Sequence, residues 1–331
     1  KRHSYRETID FFMDLGIYPK NINGYIYPNS EQASSLRDVL ELEAIHLGVN
    51  IFNNVKVDDI TKVHDHFVVI SNQGIYKAKK LILACGGRAY PKLGSDGSGY
   101  DLARSLGHRI IKPLPGLVQL RSKDKFFKIV DGVRTEAYIE VLVNDELVVS
   151  ESGQIQFTKY GVSGIPILQV SRFVSRALNL HKKVTLVIDL LPQLDWKESM
   201  DLLEARVGIS PYKTMEELFI GLFNNKLALC LLKRLNISKD MACNMLDKNT
   251  LIKLVNMIKY FDIKISDTNT FDQAQVTVGG VDTREVSSNT MESKLTKGLY
   301  LAGEVLDVDG TCGGYNLQWA WSSGYLAGCS V

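Results

Sequence analysis

The sequence predicts an α/β protein, α+β overall, in which one mixed domain is interrupted by an insert of β-barrel-like and helical character. Three observations carry this. Two short apolar runs, Lys80-Leu81-Ile82-Leu83-Ala84 and Gly298-Leu299-Tyr300-Leu301-Ala302, each end in a glycine-rich turn, and the first reads as a strand buried on both faces. Between them, Leu117 to about Leu191 alternates apolar and polar residues, as in Tyr138-Ile139-Glu140-Val141-Leu142-Val143, the period of a half-buried antiparallel strand. After Pro192 the period turns helical: Leu251, Leu254, Val255 and Ile258 share one face.

Taken in order, residues 1–16 predict an amphipathic helix with Ile9, Phe12, Met13 and Leu15 apolar. Asn29 and Gln32 suit a capping pair for a helix that places Leu36, Val39 and Leu40 together. Short β segments follow at residues 50–53, 55–61, 67–71 and 74–78. A helix from Tyr100 to Leu106 has Ser95 and Asp96 as cap and turn residues. Composition shifts at Pro113-Leu114-Pro115-Gly116, the first expected boundary, and turns are expected at Asn144-Asp145 and Glu151-Ser152-Gly153. The expected domains are residues 1–115, an insert over 116–270 (β-rich 117–191, helical 192–260), and 271–331.

With 331 residues and 45% hydrophobic content the chain can build two cores. A net charge of +2 gives no electrostatic case for nucleic acid or an acidic membrane. Five widely spaced cysteines without a C-x-x-C pair read as reduced and cytoplasmic. No metal site is expected, since His64 and His66 have no cysteine nearby.

The richest chemistry lies at Gly303–Gly324. A strand runs into Gly303-Glu304, a loop with three more glycines follows, and a helix opens at Tyr315 or Asn316. That order sets bare N–H groups and a helix N-terminus around one point, which suits a phosphate or an electron-rich ring. A tight corner with no ligand fits the same spacing.

Four segments together resemble one family. GEVLDVDGTCGGYNLQWAWSSG (303–324), GRAYPKLGSDGSGYDLARSLGH (87–108), IQFTKYGVSGIPILQVSR (155–172) and VTVGGVDTREVSSNTMESK (276–294) are similar to motifs of the BaiN/YhiN-like, or aminoacetone-oxidase-like, FAD flavoproteins. The resemblance implies a discontinuous Rossmann-like FAD-binding domain and an FAD-dependent oxidoreductase that passes a hydride between a small substrate and the flavin. Amine oxidation and C=C reduction are both implied, with NAD(P)H as an electron donor and substrate between insert and flavin domain. No G-x-G-x-x-G occurs in the chain, so it is expected to lack that family's N-terminal unit. A cofactor-free scaffold, a nucleic-acid-modifying flavoprotein and a non-enzymatic assembly module are the rival readings.

By resemblance, the backbone at Val57 flanks the adenine, and Ala84-Cys85-Gly86-Gly87 forms a turn beside the cofactor. Gly303 and Glu304 meet the FAD linker and pyrophosphate. Gly313, Gly314, Tyr315, Asn316 and Leu317 lie under the pyrimidine end, Asn316 capping the helix or donating to the ring. Trp319 and Trp321 are expected in the core, and Cys312 in packing or loop structure. Tyr160 is the candidate proton donor to substrate, with a folding role as its alternative.

Overall fold

The computed structural model describes residues 3–331, which divide into two compact units: residues 3–113 with 276–331, and residues 114–275. The part of the first expected helix at Lys1 and Arg2 lies outside the described residues.

In the first unit a helix over Tyr5–Asp14 is closed by a capping box between Ser4 and Glu7. Phe12 is the apolar residue it buries, its ring meeting Trp321 edge-on at 5.0 Å, whereas Met13 is exposed. The next helix, Ser34–His46, has no side-chain cap, so the expected Asn29–Gln32 pair does not form. Its Leu36, Val39 and Leu40 are half-buried, as their spacing requires. Residues 50–53 are not a strand. Three antiparallel strands follow, Val57–Val63, His66–Ser71 and Gly74–Ala78, with Ile60 and Phe67 in the core.

The strands Leu81–Leu83 and Leu299–Leu301 pair in parallel, Leu81 opposite Leu299 and Leu83 opposite Leu301. Leu299, Tyr300 and Leu301 are buried, but Ile82 is 40% exposed. The expectation of burial on both faces fails for the first of these strands. Leu81 and Leu83 turn to the core on one face, and the opposite face, which carries Ile82, is not covered by the described residues. The helix Ser98–Ser105 and the terminal helix Tyr315–Ser330 pack on this pair through Leu102, Ala103 and Ala327. His108 is enclosed nearby, with Nδ1 3.0 Å from Glu285 Oε2 and Nε2 2.8 Å from Ser293 Oγ.

The second unit is a closed six-stranded antiparallel barrel. Its strands are Leu120–Ser122, Arg134–Val143, Glu146–Thr158, Gly161–Ser163, Val184–Asp189 and Phe261–Thr268. Alternation decides which side chains enter: Ile139 and Val141, Leu186 and Ile188, and Phe261 and Ile263 are all buried. Asn144 and Asp145 take φ of 52° and 68°, the left-handed pair that a two-residue hairpin needs. The expected turn at Glu151-Ser152-Gly153 does not exist, because the strand Glu146–Thr158 stays paired with its neighbour through those residues. Two elements here have no counterpart among those expected from the sequence. The helix Ile165–Asn179 buries Ile167, Val170, Val174 and Ala177 at three- and four-residue spacing, and Phe261–Thr268 closes the barrel. Around it lie the helices Trp196–Ile209, Met215–Leu218, Asn225–Arg234 and Lys248–Lys259. The last buries Leu251, Leu254, Val255 and Ile258 as predicted.

Candidate functional site

The parallel pair sets the site. Ala302 N–H donates to Leu83 O at 3.1 Å, so the two strands end level and their turns emerge side by side. The first turn, Ala84–Gly87, is exposed at Ala84 and Cys85 and buried at Gly87. Its glycines are required by the protein's own atoms. A β-carbon on Gly87 would overlap Thr277 Oγ1 and lie 2.6 Å from Glu304 Oε1, and one on Gly86 would lie 2.5 Å from Ser95 Oγ. Although the residue is exposed, Cys85 Sγ itself is tucked against Gly99, and this local loss of water pushes the thiol above its ordinary value, away from the thiolate a nucleophile needs.

Thr277 is the hub beneath that turn. It is fully buried; its Oγ1 accepts from Arg88 N–H at 2.7 Å and Ala89 N–H at 3.0 Å. Its own N–H donates to Glu304 Oε1 at 2.7 Å. Burial raises the Glu304 carboxyl above its usual value, and the two hydrogen bonds with Thr277 oppose the rise. Tyr100, 5% exposed, brings its hydroxyl into the field of Glu304, Thr277 and Asp307.

The second turn is held from the terminal helix. Gly303 N–H donates to Ser323 Oγ at 2.9 Å, and Trp319 Nε1 donates to Gly303 O at 3.0 Å. Trp319 therefore fixes the turn as well as packing against the core, and Trp321 packs on Phe12. The loop before the helix is clamped by Asn316. Its Oδ1 accepts from Gly310 N–H at 2.8 Å, and its Nδ2 donates to Gly310 O at 3.2 Å and Thr311 O at 3.4 Å. Asn316 is thus not the helix cap that one reading gave it. The N-cap is Gly314, at φ 90°, with no side-chain bond, and nothing lies within 4 Å of where its β-carbon would stand.

Gly313, Gly314, Tyr315 and Leu317 are exposed. Sixteen residues of helix thus present an uncapped, open N-terminus, with partial positive charge at its first turn. A β-carbon on Gly313 would touch the Tyr25 ring at 2.5 Å, so this glycine serves packing while Gly314 leaves space.

The sequence matches the HI0933-like protein Rossmann domain over residues 1–330. The chain belongs to the HI0933-like family. It is 42% identical over 328 residues to a 3-dehydro-bile acid delta(4,6)-reductase of Clostridium scindens, covering 99% of this chain and 80% of that one. It is 32% identical to a ribosomal RNA dihydrouridine synthase of Haemophilus influenzae (91% and 73% covered) and 28% identical to one of Escherichia coli (89% and 71%). HI0933-like proteins are FAD-binding oxidoreductases, and this chain is an oxidoreductase of that family.

The remaining predicted residues of this HI0933-like chain lie elsewhere. Val57 opens its strand, half-buried, on a cleft of about 290 Å³ shared with Lys56, Asp58, Asp59 and Ser98. Asp96 accepts from Ser98 N–H at 2.9 Å and from Lys56 at 3.3 Å, which hold its carboxyl at about 2. It takes the turn role expected of it, but the cap of the helix Ser98–Ser105 is Gly97, which has no side-chain bond, and not Ser95 or Asp96. In the second unit, Tyr160 is half-buried. Arg121 stacks over its ring at 4.9 Å, and Asn269 Nδ2 donates to its hydroxyl at 3.2 Å. Arg121 also donates to Asn269 Oδ1 at 2.8 Å.

Thr277, Tyr100, Ser323 and Asn269 were not singled out from sequence. The available signal for Thr277 was a lone hydroxyl inside Val276–Val281, a strand buried throughout; such a group must have partners. Among the described residues no cluster of three His, Cys, Asp or Glu suits a metal, and no helix is long and apolar enough to cross a membrane.

Proposed function

We propose that this protein binds FAD at the open helix start and reduces a carbon–carbon double bond of a small organic molecule, with NAD(P)H as the electron source. The observation that carries the reading is the uncapped N-terminus at Gly314, with open space above it, at the end of the parallel strand pair. The residues fit the flavin in one further respect. Glu304 keeps an oxygen beyond the one bonded to Thr277, available to a hydroxyl of the linker. The Ala84–Gly87 glycines support the cofactor indirectly, since their close contacts are to Ser95, Thr277 and Glu304.

When bound, FAD supplies the hydride chemistry. The chain's own contribution is electrostatic: the N–H groups of Tyr315, Asn316 and Leu317 and the helix dipole favour negative charge at the pyrimidine end. Val57 is assigned to the adenine by its backbone. Tyr160 is assigned as proton donor to substrate. Its hydroxyl accepts from Asn269, which leaves its own proton to give.

Reduction is preferred to amine oxidation because the relatives' names describe a delta(4,6)-reductase and enzymes that form dihydrouridine. Both reactions add two hydrogens across a double bond. The bile-acid reductase matches nearly the whole chain at the higher identity, which favours a small molecule. A uridine in ribosomal RNA is the second reading, supported by the two synthases and opposed by a net charge of +2. A site inside the cytoplasm accords with both. The test is anaerobic: reduced, FAD-loaded protein is mixed with a conjugated steroid dienone or with uridine-containing RNA, and flavin reoxidation is followed by absorbance. Reoxidation by the dienone supports the proposal. Reoxidation by RNA alone establishes the second reading, and absence of flavin bands after FAD addition removes both.

A further inference from the structure

Tyr100 is a buried polar group that the mechanism above leaves without a task. It sits on the helix Ser98–Ser105 with 5% of its surface exposed. Its hydroxyl oxygen is fully enclosed and has no partner in hydrogen-bond geometry. An enclosed, unpaired hydroxyl is costly, so its presence calls for an explanation. No water-sized space reaches the oxygen, which removes a direct contact with any ligand.

The neighbours narrow what the hydroxyl can do. Both lone pairs of Thr277 Oγ1 are used by Arg88 N–H and Ala89 N–H. Burial raises the Tyr100 hydroxyl most, Glu304 adds the next largest share, and the Thr277 side chain opposes the rise. The Thr277 hydroxyl can thus only donate toward Tyr100, and the Tyr100 O–H is a donor without an acceptor, beside a carboxyl with one oxygen on Thr277 N–H.

We propose that Tyr100 is a positioning residue for Glu304: its unpaired O–H is the donor that fixes the carboxylate as Glu304 accepts a hydroxyl of the flavin dinucleotide. The inference rests on the FAD-binding reading. It makes the hydroxyl a cost in the cofactor-free protein and a gain in the loaded one. The gain requires an ionised Glu304, so it grows as pH rises through that group's elevated value.

The test compares wild type, Y100F, E304Q and the double variant by FAD titration, read from quenching of flavin fluorescence at pH 5 and pH 8, with Tm of the cofactor-free proteins. Y100F is expected to weaken FAD by roughly five- to tenfold at pH 8, as one hydrogen bond to a charged group does, and less at pH 5. Its cofactor-free Tm is expected to equal or exceed that of wild type. In the E304Q background, Y100F is expected to change affinity less than twofold. Equal FAD affinity of Y100F and wild type at pH 8 overturns the proposal, as does the same loss with and without Glu304. A lower cofactor-free Tm for Y100F with unchanged affinity also overturns it, since the hydroxyl would then be structural. If wild type binds no FAD, the functional reading fails first and this inference with it.

Discussion

Thr277 is where the site can be broken with the least change of shape. Thr277→Val keeps the branched side chain and removes Oγ1, the acceptor for Arg88 N–H at 2.7 Å and Ala89 N–H at 3.0 Å. Ala89 is 9% exposed and Thr277 fully enclosed, so the Ala89 donor has no water to turn to. Its unmet hydrogen bond costs about 1–3 kcal/mol. The Arg88 N–H is part-buried and adds about 1 kcal/mol, the net value of an ordinary bond. The valine also removes the threonine O–H from Glu304, one of the two contacts that hold its carboxyl down. The expected total is about 2–4 kcal/mol. Thr277→Ser keeps both acceptor bonds and loses a buried methyl, at about 1 kcal/mol. Urea unfolding is the assay, followed by tryptophan fluorescence, because Trp319 and Trp321 belong to the same unit as Thr277. A valine variant within 0.5 kcal/mol of wild type refutes the argument (on the order of the error of such data). So does a serine variant as unstable as the valine one.

Three further outcomes follow from the same contacts. Glu304 has its folded value raised by burial, so in the cofactor-free protein its contribution is present at low pH and is lost as pH rises through the folded value. E304Q is accordingly expected to raise Tm at pH 8 and leave it unchanged near pH 4; an equal shift at both contradicts burial as the cause. Asp282 is held at about 2, chiefly by the Arg284 side chain. Its contribution is full above its unfolded value near 3.8 and lost as pH falls toward 2, so D282N should flatten the acid limb of stability over that window alone. N316A removes three bonds to the Gly310–Thr311 loop; about 1–2 kcal/mol of stability and roughly tenfold in FAD affinity are expected to go. Retention of full FAD affinity would show that the clamp does not shape the cofactor's bed.

What was legible in the sequence was periodic or punctuated. The terminal strand, turn and helix were read within a residue, because Leu299–Leu301 is buried and Gly314 ends the loop. The Asn144-Asp145 hairpin was legible because few residues accept two successive positive φ values. The helix Ile165–Asn179 was lost because β-branched Ile167, Val170 and Val174 read as strand when taken one at a time. Gly153 reads locally as a turn residue, yet it lies inside a paired strand, with φ 138°, where a β-carbon would come 3.2 Å from Pro166 Cγ. Closure of the barrel by Phe261–Thr268 depends on pairing with Leu120–Ser122, more than a hundred residues earlier, and no local pattern carries that information.

The glycines of the site show why its chemistry was harder to read than its fold. A glycine marks either a place where something comes close or a place where the backbone must take positive φ, and the letter alone does not say which. Gly87 and Gly99 are of the first kind, yet what comes close is Thr277, Glu304 and Cys85, all parts of the chain itself. Gly279 and Gly280 combine both, with φ of 93° and 140° and the backbone of Lys112 and Val305 against them. Gly314 has positive φ with open space, and it alone of these stands at a helix start without a cap. Replacing Gly87 or Gly99 therefore tests packing, and any loss of cofactor there is secondary to a lost fold. Gly314 is the position where a side chain costs about 1–2 kcal/mol of backbone strain and meets no protein atom, so a change in flavin binding there reports on the ligand.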